Sequence, residues 1–75
     1  MKKFYIPEKE KCPPNGYQLT YSKGTIDEFC ENPGYYKAHM YIGAINDAIT
    51  IYKYNEHISR DWVEHVIRIL SKYIE

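Results

Sequence analysis

Three side chains of the kinds that bind zinc recur at every fourth position near the end of the chain. They are His57, Asp61 and His65. Helical spacing of four brings two such ligands to one ion. The pattern is incomplete, however, because His57 precedes the expected helix and no C-x-x-C pair accompanies it. We therefore expect a solvated polar face here, with no metal and no cofactor.

Cys30 is the candidate for nucleophilic chemistry, since a neighbouring histidine could activate its thiol. The chain offers no nucleophile elbow or Gly-rich loop to position such a pair, and neither common phosphate-binding glycine motif occurs. A chain of 75 residues also leaves little scaffold around a catalytic pocket. We therefore expect a protein without catalytic residues that is not an enzyme.

The net charge and the lengths of the apolar runs argue against further classes of function. Lys+Arg and Asp+Glu both number 10, and a neutral total argues against binding to phosphate backbones. No apolar run resembles a signal peptide or a membrane span, so we expect a cytoplasmic protein. In a reducing cytosol Cys12 and Cys30 are expected to be free thiols, with a disulfide between them as the alternative.

Tyrosine is the most informative residue type, with nine copies in the chain. Its ring is apolar and its hydroxyl is polar, so it occurs both in cores and on recognition surfaces. Several tyrosines fall between residues 35 and 55, where two interpretations compete. As a helix, Tyr41 and Tyr52 lie on an apolar stripe. As a hairpin turning at Asn46-Asp47, the same two tyrosines face each other.

Composition favours the hairpin over the helix. Residues 50–54 are β-branched or aromatic, and Gly43 would cost about 1 kcal/mol inside a helix. A hairpin places aromatic and cationic side chains on one face. That face is either a partner-binding surface or a structural one, in which Tyr41 and Tyr52 fill a second hydrophobic layer or form a cross-strand pair. That predicted surface comprises Lys37, His39, Tyr41, Tyr52 and Tyr54.

The C-terminal segment predicts a helix that Ser59 caps and that extends to about Tyr73, with Glu64 and Arg68 paired on its surface. Its apolar face is wider than one sheet contact needs. One stripe is therefore expected to pack on the sheet and the other to meet a partner or a second copy. The alternative is a helix that is buried deeply between the sheet and the loops. The second stripe comprises Trp62, Val66, Ile69 and Tyr73.

The earlier segments complete the predicted fold. Residues 4–6 and 17–22 suggest strands, separated by a turn-rich loop over 12–16. A short helix follows, capped by Thr25 and Glu28, with Ile26 and Phe29 facing inward. We therefore predict one α+β domain over residues 1–75, with an antiparallel sheet of about four strands and the C-terminal helix across one face.

The predicted function is a small protein-interaction module, namely a regulator, adaptor or inhibitor with a protein partner or as a homodimer. Its Lys-, Ile- and Tyr-rich composition is similar to that of bacterial, phage or mobile-element accessory proteins, which suggests action on a host protein. The alternative is a nucleic-acid-binding domain that uses the aromatic face with Lys37 and Lys53.

Overall fold

A computed structural model describes residues 4–10 and 18–74 as a three-helix bundle. The elements are α1 (Lys23–Glu31), α2 (Ala38–Lys53) and α3 (Arg60–Leu70), followed by a 3₁₀ turn at Ser71–Tyr73. The described ranges contain no strand. The predicted α+β fold with an antiparallel sheet is therefore wrong, and the segment interpreted as a hairpin forms the longest helix.

Gly43 lies inside α2 because an aromatic ring rests on it. A Cβ atom at this position would come within 3.1 Å of Cε2 of Tyr21. A helical glycine costs about 1 kcal/mol, but it leaves room for the Tyr21 ring, which would have to shift by a few tenths of an ångström if a Cβ atom were present. The glycine that argued against a helix is thus explained by a residue far away in sequence.

Asp47, in the predicted turn, likewise contacts a residue far away in the sequence. The Asp47 carboxylate accepts a hydrogen bond of 2.7 Å from the backbone N–H of Tyr21. Within the helix, the Thr50 hydroxyl donates a hydrogen bond to the Asn46 carbonyl. The hydroxyl of this β-branched residue is therefore satisfied in a helix as well as in a strand. Gly43 and Asp47 are one helical turn apart, and together they hold the segment that precedes α1 against α2.

Helix α1 begins at a different cap from the predicted one. The Ser22 hydroxyl accepts from the Thr25 backbone N–H at 3.2 Å, so Ser22 is the N-cap and Thr25 lies inside the helix. The predicted end at Asn32 and the inward positions of Ile26 and Phe29 are confirmed.

Helix α3 confirms the predicted cap at Ser59, but the α-helix ends at Leu70 and a 3₁₀ turn continues to Tyr73. The Ser59 hydroxyl accepts from the Trp62 backbone N–H at 3.2 Å. The surface ion pair is different, because Glu64 pairs with Arg60 at 3.1 Å. Arg68 instead lies 3.0 Å from a ring nitrogen of His65. The wide apolar face is used inside the bundle, since α3 packs against both α1 and α2.

The core lies where the three helices meet. Helix α2 contributes half of its buried residues, which agrees with the helical alternative for this segment. No described helix is long and apolar enough to cross a lipid bilayer. The buried side chains are Ile26, Phe29, Tyr41, Ala44, Ile45, Ala48, Ile51, Tyr52, Val63, Val66, Leu70 and Ile74.

The two segments predicted as early strands have other roles. Residues 4–10, here called the strap, have no regular secondary structure, and Phe4 packs against the core. Leu19 is exposed, and Tyr21 is half-buried on α2. Tyr17, the predicted loop over 12–16 and Cys12 lie outside the described residues.

Neighbouring alanine substitutions distinguish the helix from a turn at residues 46 and 47. We expect Asp47→Ala to lower the free energy of unfolding by about 1–2 kcal/mol, because the Tyr21 N–H loses a charged acceptor. Asn46→Ala should raise it by about 0.5 kcal/mol through helix propensity. Urea denaturation measures both. A loss of stability in the Asn46 variant would indicate a turn and contradict this account.

Candidate functional site: a tyrosine surface on a fixed loop

Tyr41 joins the core to the surface loop between α1 and α2 (residues 32–37). Its side chain is fully buried, with 0% of its surface exposed. Its hydroxyl oxygen accepts hydrogen bonds from the backbone N–H groups of Gly34, at 2.8 Å, and Tyr36, at 3.0 Å. Because a buried core residue does not move freely, these two bonds fix the conformation of the loop.

Gly34 lets the loop lie against the end of the chain. Its φ angle is +89°, a conformation that other residues adopt rarely. A Cβ atom here would also come within 3.3 Å of the Tyr73 ring. The loop therefore needs glycine for its backbone angle, and a Cβ atom would in addition crowd the Tyr73 ring.

Aromatic rings continue from the core to this loop. The Phe29 ring has its centroid 4.5 Å from that of Tyr36, 5.1 Å from Tyr21 and 5.9 Å from Tyr41. Tyr41 in turn lies 6.0 Å from Tyr73. All four of these pairs are tilted or edge-to-face, and aromatic quadrupoles favour edge-to-face contacts. The loop therefore packs against a cluster of aromatic side chains.

Three tyrosines around Gly34 form an outward-facing patch, here called the tyrosine surface: Tyr35, Tyr36 and Tyr73. The side chain of Tyr35 is 81% exposed and that of Tyr73 is 41% exposed. Tyr36 is half-buried, and its ring lies 5.0 Å from that of Tyr35.

The orientation of Tyr36 is fixed by α1. Its hydroxyl donates a 2.9 Å hydrogen bond to the Glu28 carboxylate, and that bond raises the pKa of Tyr36. The hydroxyl is therefore a neutral donor at physiological pH. Tyr36 supports Tyr35 from the side while its own polar group is satisfied.

The predicted hairpin surface is not assembled, because its residues are distributed along α2. Lys37 is the exposed N-cap residue and His39 is exposed in the first turn. Tyr41 and Tyr52 are both buried, about 16 Å apart along the helix axis at 1.5 Å per residue. Tyr54 is half-buried just beyond the helix. The face on which their predicted partner-binding role depended does not exist.

The second predicted stripe lies largely within the bundle. Val66 is fully buried, and Ile69 is half-buried against the core. The Trp62 indole N–H donates a 2.6 Å hydrogen bond to Asp27 of α1. Tyr73 is the member of this stripe that contributes to the tyrosine surface.

Sequence reasoning missed Tyr35 and Tyr36. The hairpin prediction places them at its start, although they directly follow the helix-terminating Asn32-Pro33-Gly34. That position is itself a signal, because an aromatic pair on a tight loop lies at the periphery of a small bundle. One of the two can anchor the loop while the other remains exposed.

The residues considered as metal ligands or as a catalytic nucleophile do not form a site. His57, Asp61 and His65 are exposed, and the described residues contain no group of three ligands that could hold a metal ion. Cys30 is a free thiol, and burial, reinforced by the charges of Asp27 and Glu31, raises its pKa to about 11. Its thiolate is therefore scarce at neutral pH, which disfavours nucleophilic chemistry.

A polar depression of about 400 Å³ lies at the other end of α2. Its lining includes one residue of the strap and the first residues of the α2–α3 loop. Glu10 already forms an ion pair with Lys53 at 2.9 Å, and Glu56 and His57 are exposed. The lining residues are Glu10, Tyr54, Asn55, Glu56 and His57.

Removing one hydroxyl tests the anchoring role of Tyr41. We expect Tyr41→Phe to lower the free energy of unfolding by about 1–3 kcal/mol, because two backbone N–H groups lose their acceptor. Tyr36→Phe is the matched control and should cost less than about 1 kcal/mol, since its hydroxyl bond is exposed. Equal costs in urea denaturation would show that the Tyr41 hydroxyl does not hold the loop.

Comparison with known proteins adds no relative from which a role could be transferred. The chain has no significant match to a family model, a curated protein or a solved structure. Its function is therefore inferred from the geometry of its own side chains.

Proposed function

We propose that this chain is a non-catalytic protein-interaction module that docks on a larger protein through the tyrosine surface. The observation that supports this most is the 81% exposure of Tyr35 on a loop held by a fully buried residue. Tyrosine is enriched among the residues that dominate binding energy at interfaces. A regulator, adaptor or inhibitor would use such an anchor.

Rigidity is what distinguishes Tyr35 from the other highly exposed tyrosine. Tyr5 is 78% exposed but lies on the strap, which has no regular secondary structure. Tyr35 lies between two residues whose backbone N–H groups bond to Tyr41. A residue whose backbone is already fixed loses less entropy on binding, so it contributes more to affinity.

The size of the tyrosine surface favours a partner with a pocket over a second copy. A tyrosine buries at most about 150–250 Å², so two exposed rings fall below the roughly 800 Å² per partner of a stable interface. Two copies meeting through these rings alone would cover too little area. A larger protein with a cleft for Tyr35 would gain the remaining area from the polar residues around the patch.

The geometry gives less support to a nucleic-acid interface. Lys37 and Lys53 lie at opposite ends of α2, about 24 Å apart at 1.5 Å per residue. Lys53 is already paired with Glu10. The aromatic rings between these lysines on α2, Tyr41 and Tyr52, are buried, so bases could not stack on them.

Two tyrosine substitutions with similar loss of exposed surface test this proposal. We expect Tyr35→Ala to reduce recovery of a partner in a quantitative pull-down from the native host at least tenfold, because it removes the anchor. Tyr5→Ala removes an equally exposed ring and should leave recovery within twofold. Both variants should melt within a few degrees of the wild type, since neither ring is buried.

Three results would contradict the proposal. One is equal recovery with Tyr35→Ala and with Tyr5→Ala, and another is a loss of recovery that tracks a lower melting temperature. The third is a captured partner that proves to be a second copy of this chain. Light scattering on the purified protein detects that dimer directly.

A further inference from the structure

The end of α2 and the loop after it present carbonyl groups that the strap satisfies. The last carbonyls of a helix have no partner within the helix. Here the Lys53 carbonyl accepts a 2.7 Å hydrogen bond from the Glu10 backbone N–H. The Lys9 ammonium donates to the carbonyls of Asn55, at 2.9 Å, and Ile58.

An aromatic ring completes this site. The Lys9 ammonium lies 4.7 Å from the centroid of the Tyr52 ring, within the range of a cation–π contact. The C-terminal end of a helix also carries partial negative charge, which favours a cation. Two carbonyl oxygens, one ring and a helix terminus therefore converge on a single primary ammonium group.

Other contacts also hold the strap, including the backbone bond from Glu10 to Lys53. Phe4 packs against the core and Ile6 and Pro7 are half-buried, whereas Tyr5, Glu8 and Lys9 are exposed. The Glu10–Lys53 ion pair lies at the surface, where such pairs contribute little. The Lys9 ammonium makes two hydrogen bonds to a different part of the chain and so joins the strap to the α2–α3 loop.

We propose that the junction of α2 and α3 is a binding site for a primary ammonium group, and that Lys9 in this site holds residues 4–10 as a releasable strap. The strap opens while the three helices remain folded, which is local unfolding of the kind that weakly packed segments undergo. Opening exposes the Tyr52 ring and the part of the core that Phe4 covers.

Amide hydrogen exchange in the Lys9→Met variant tests whether Lys9 holds the strap. Methionine keeps most of the length of the side chain but removes the charge. We expect the Glu10 amide, which bonds to Lys53, to exchange about tenfold faster or more, as the loss of a charged hydrogen bond implies. Lys37→Met also removes one exposed positive charge, and it should leave this exchange within twofold of the wild type.

The amide of Val66, inside α3, separates strap opening from general destabilisation. Under the proposal, its exchange stays within twofold of the wild type in Lys9→Met. If Glu10 and Val66 accelerate together, Lys9 supports the whole fold and the releasable strap is wrong. If neither changes, the ammonium site does not hold the strap and the proposal is also wrong.

Discussion

The hydroxyl of Tyr41 connects the interior of this small bundle to the surface on which its function is proposed to depend. The ring lies in the core, and the oxygen accepts two backbone N–H groups from the loop between α1 and α2. Buried polar atoms need partners, so the hydroxyl and the loop constrain each other. The outward position of Tyr35 is a consequence of this constraint.

Helix α2 organises the rest of the described chain in a similar way. The segment before α1 rests on Gly43 and Asp47, and the strap attaches to the carbonyl of Lys53. Polar atoms and a glycine on α2 therefore form the contacts that hold two non-helical segments against the helix. A small domain gains buried surface in this way without adding helices.

The sequence predicts those parts of the fold that depend on local signals. Ser59 and the periodic apolar residues after it predict α3, and Ile26 and Phe29 occupy the predicted inner face of α1. Local signals failed at α2, because the cost of Gly43 is explained by Tyr21, 22 residues away. Such a contact leaves no trace in local propensity.

The candidate site was only partly predictable for a related reason. Tyr41 and Tyr52 are eleven residues apart, which matches both one helical face and opposite strands of a hairpin. Tyr73 was identified through its helical stripe and does reach the surface. The exposure of Tyr35 depends on hydrogen bonds to Tyr41, and only the folded arrangement defines those bonds.

The most direct test of the central claim is amide exchange at Gly34 and Tyr36 in the wild type and in Tyr41→Phe. Both amides should be protected in the wild type, and both should exchange at least about tenfold faster in the variant while the middle of α3 is unchanged. Unprotected amides in the wild type, or protection that survives loss of the hydroxyl, would contradict the account.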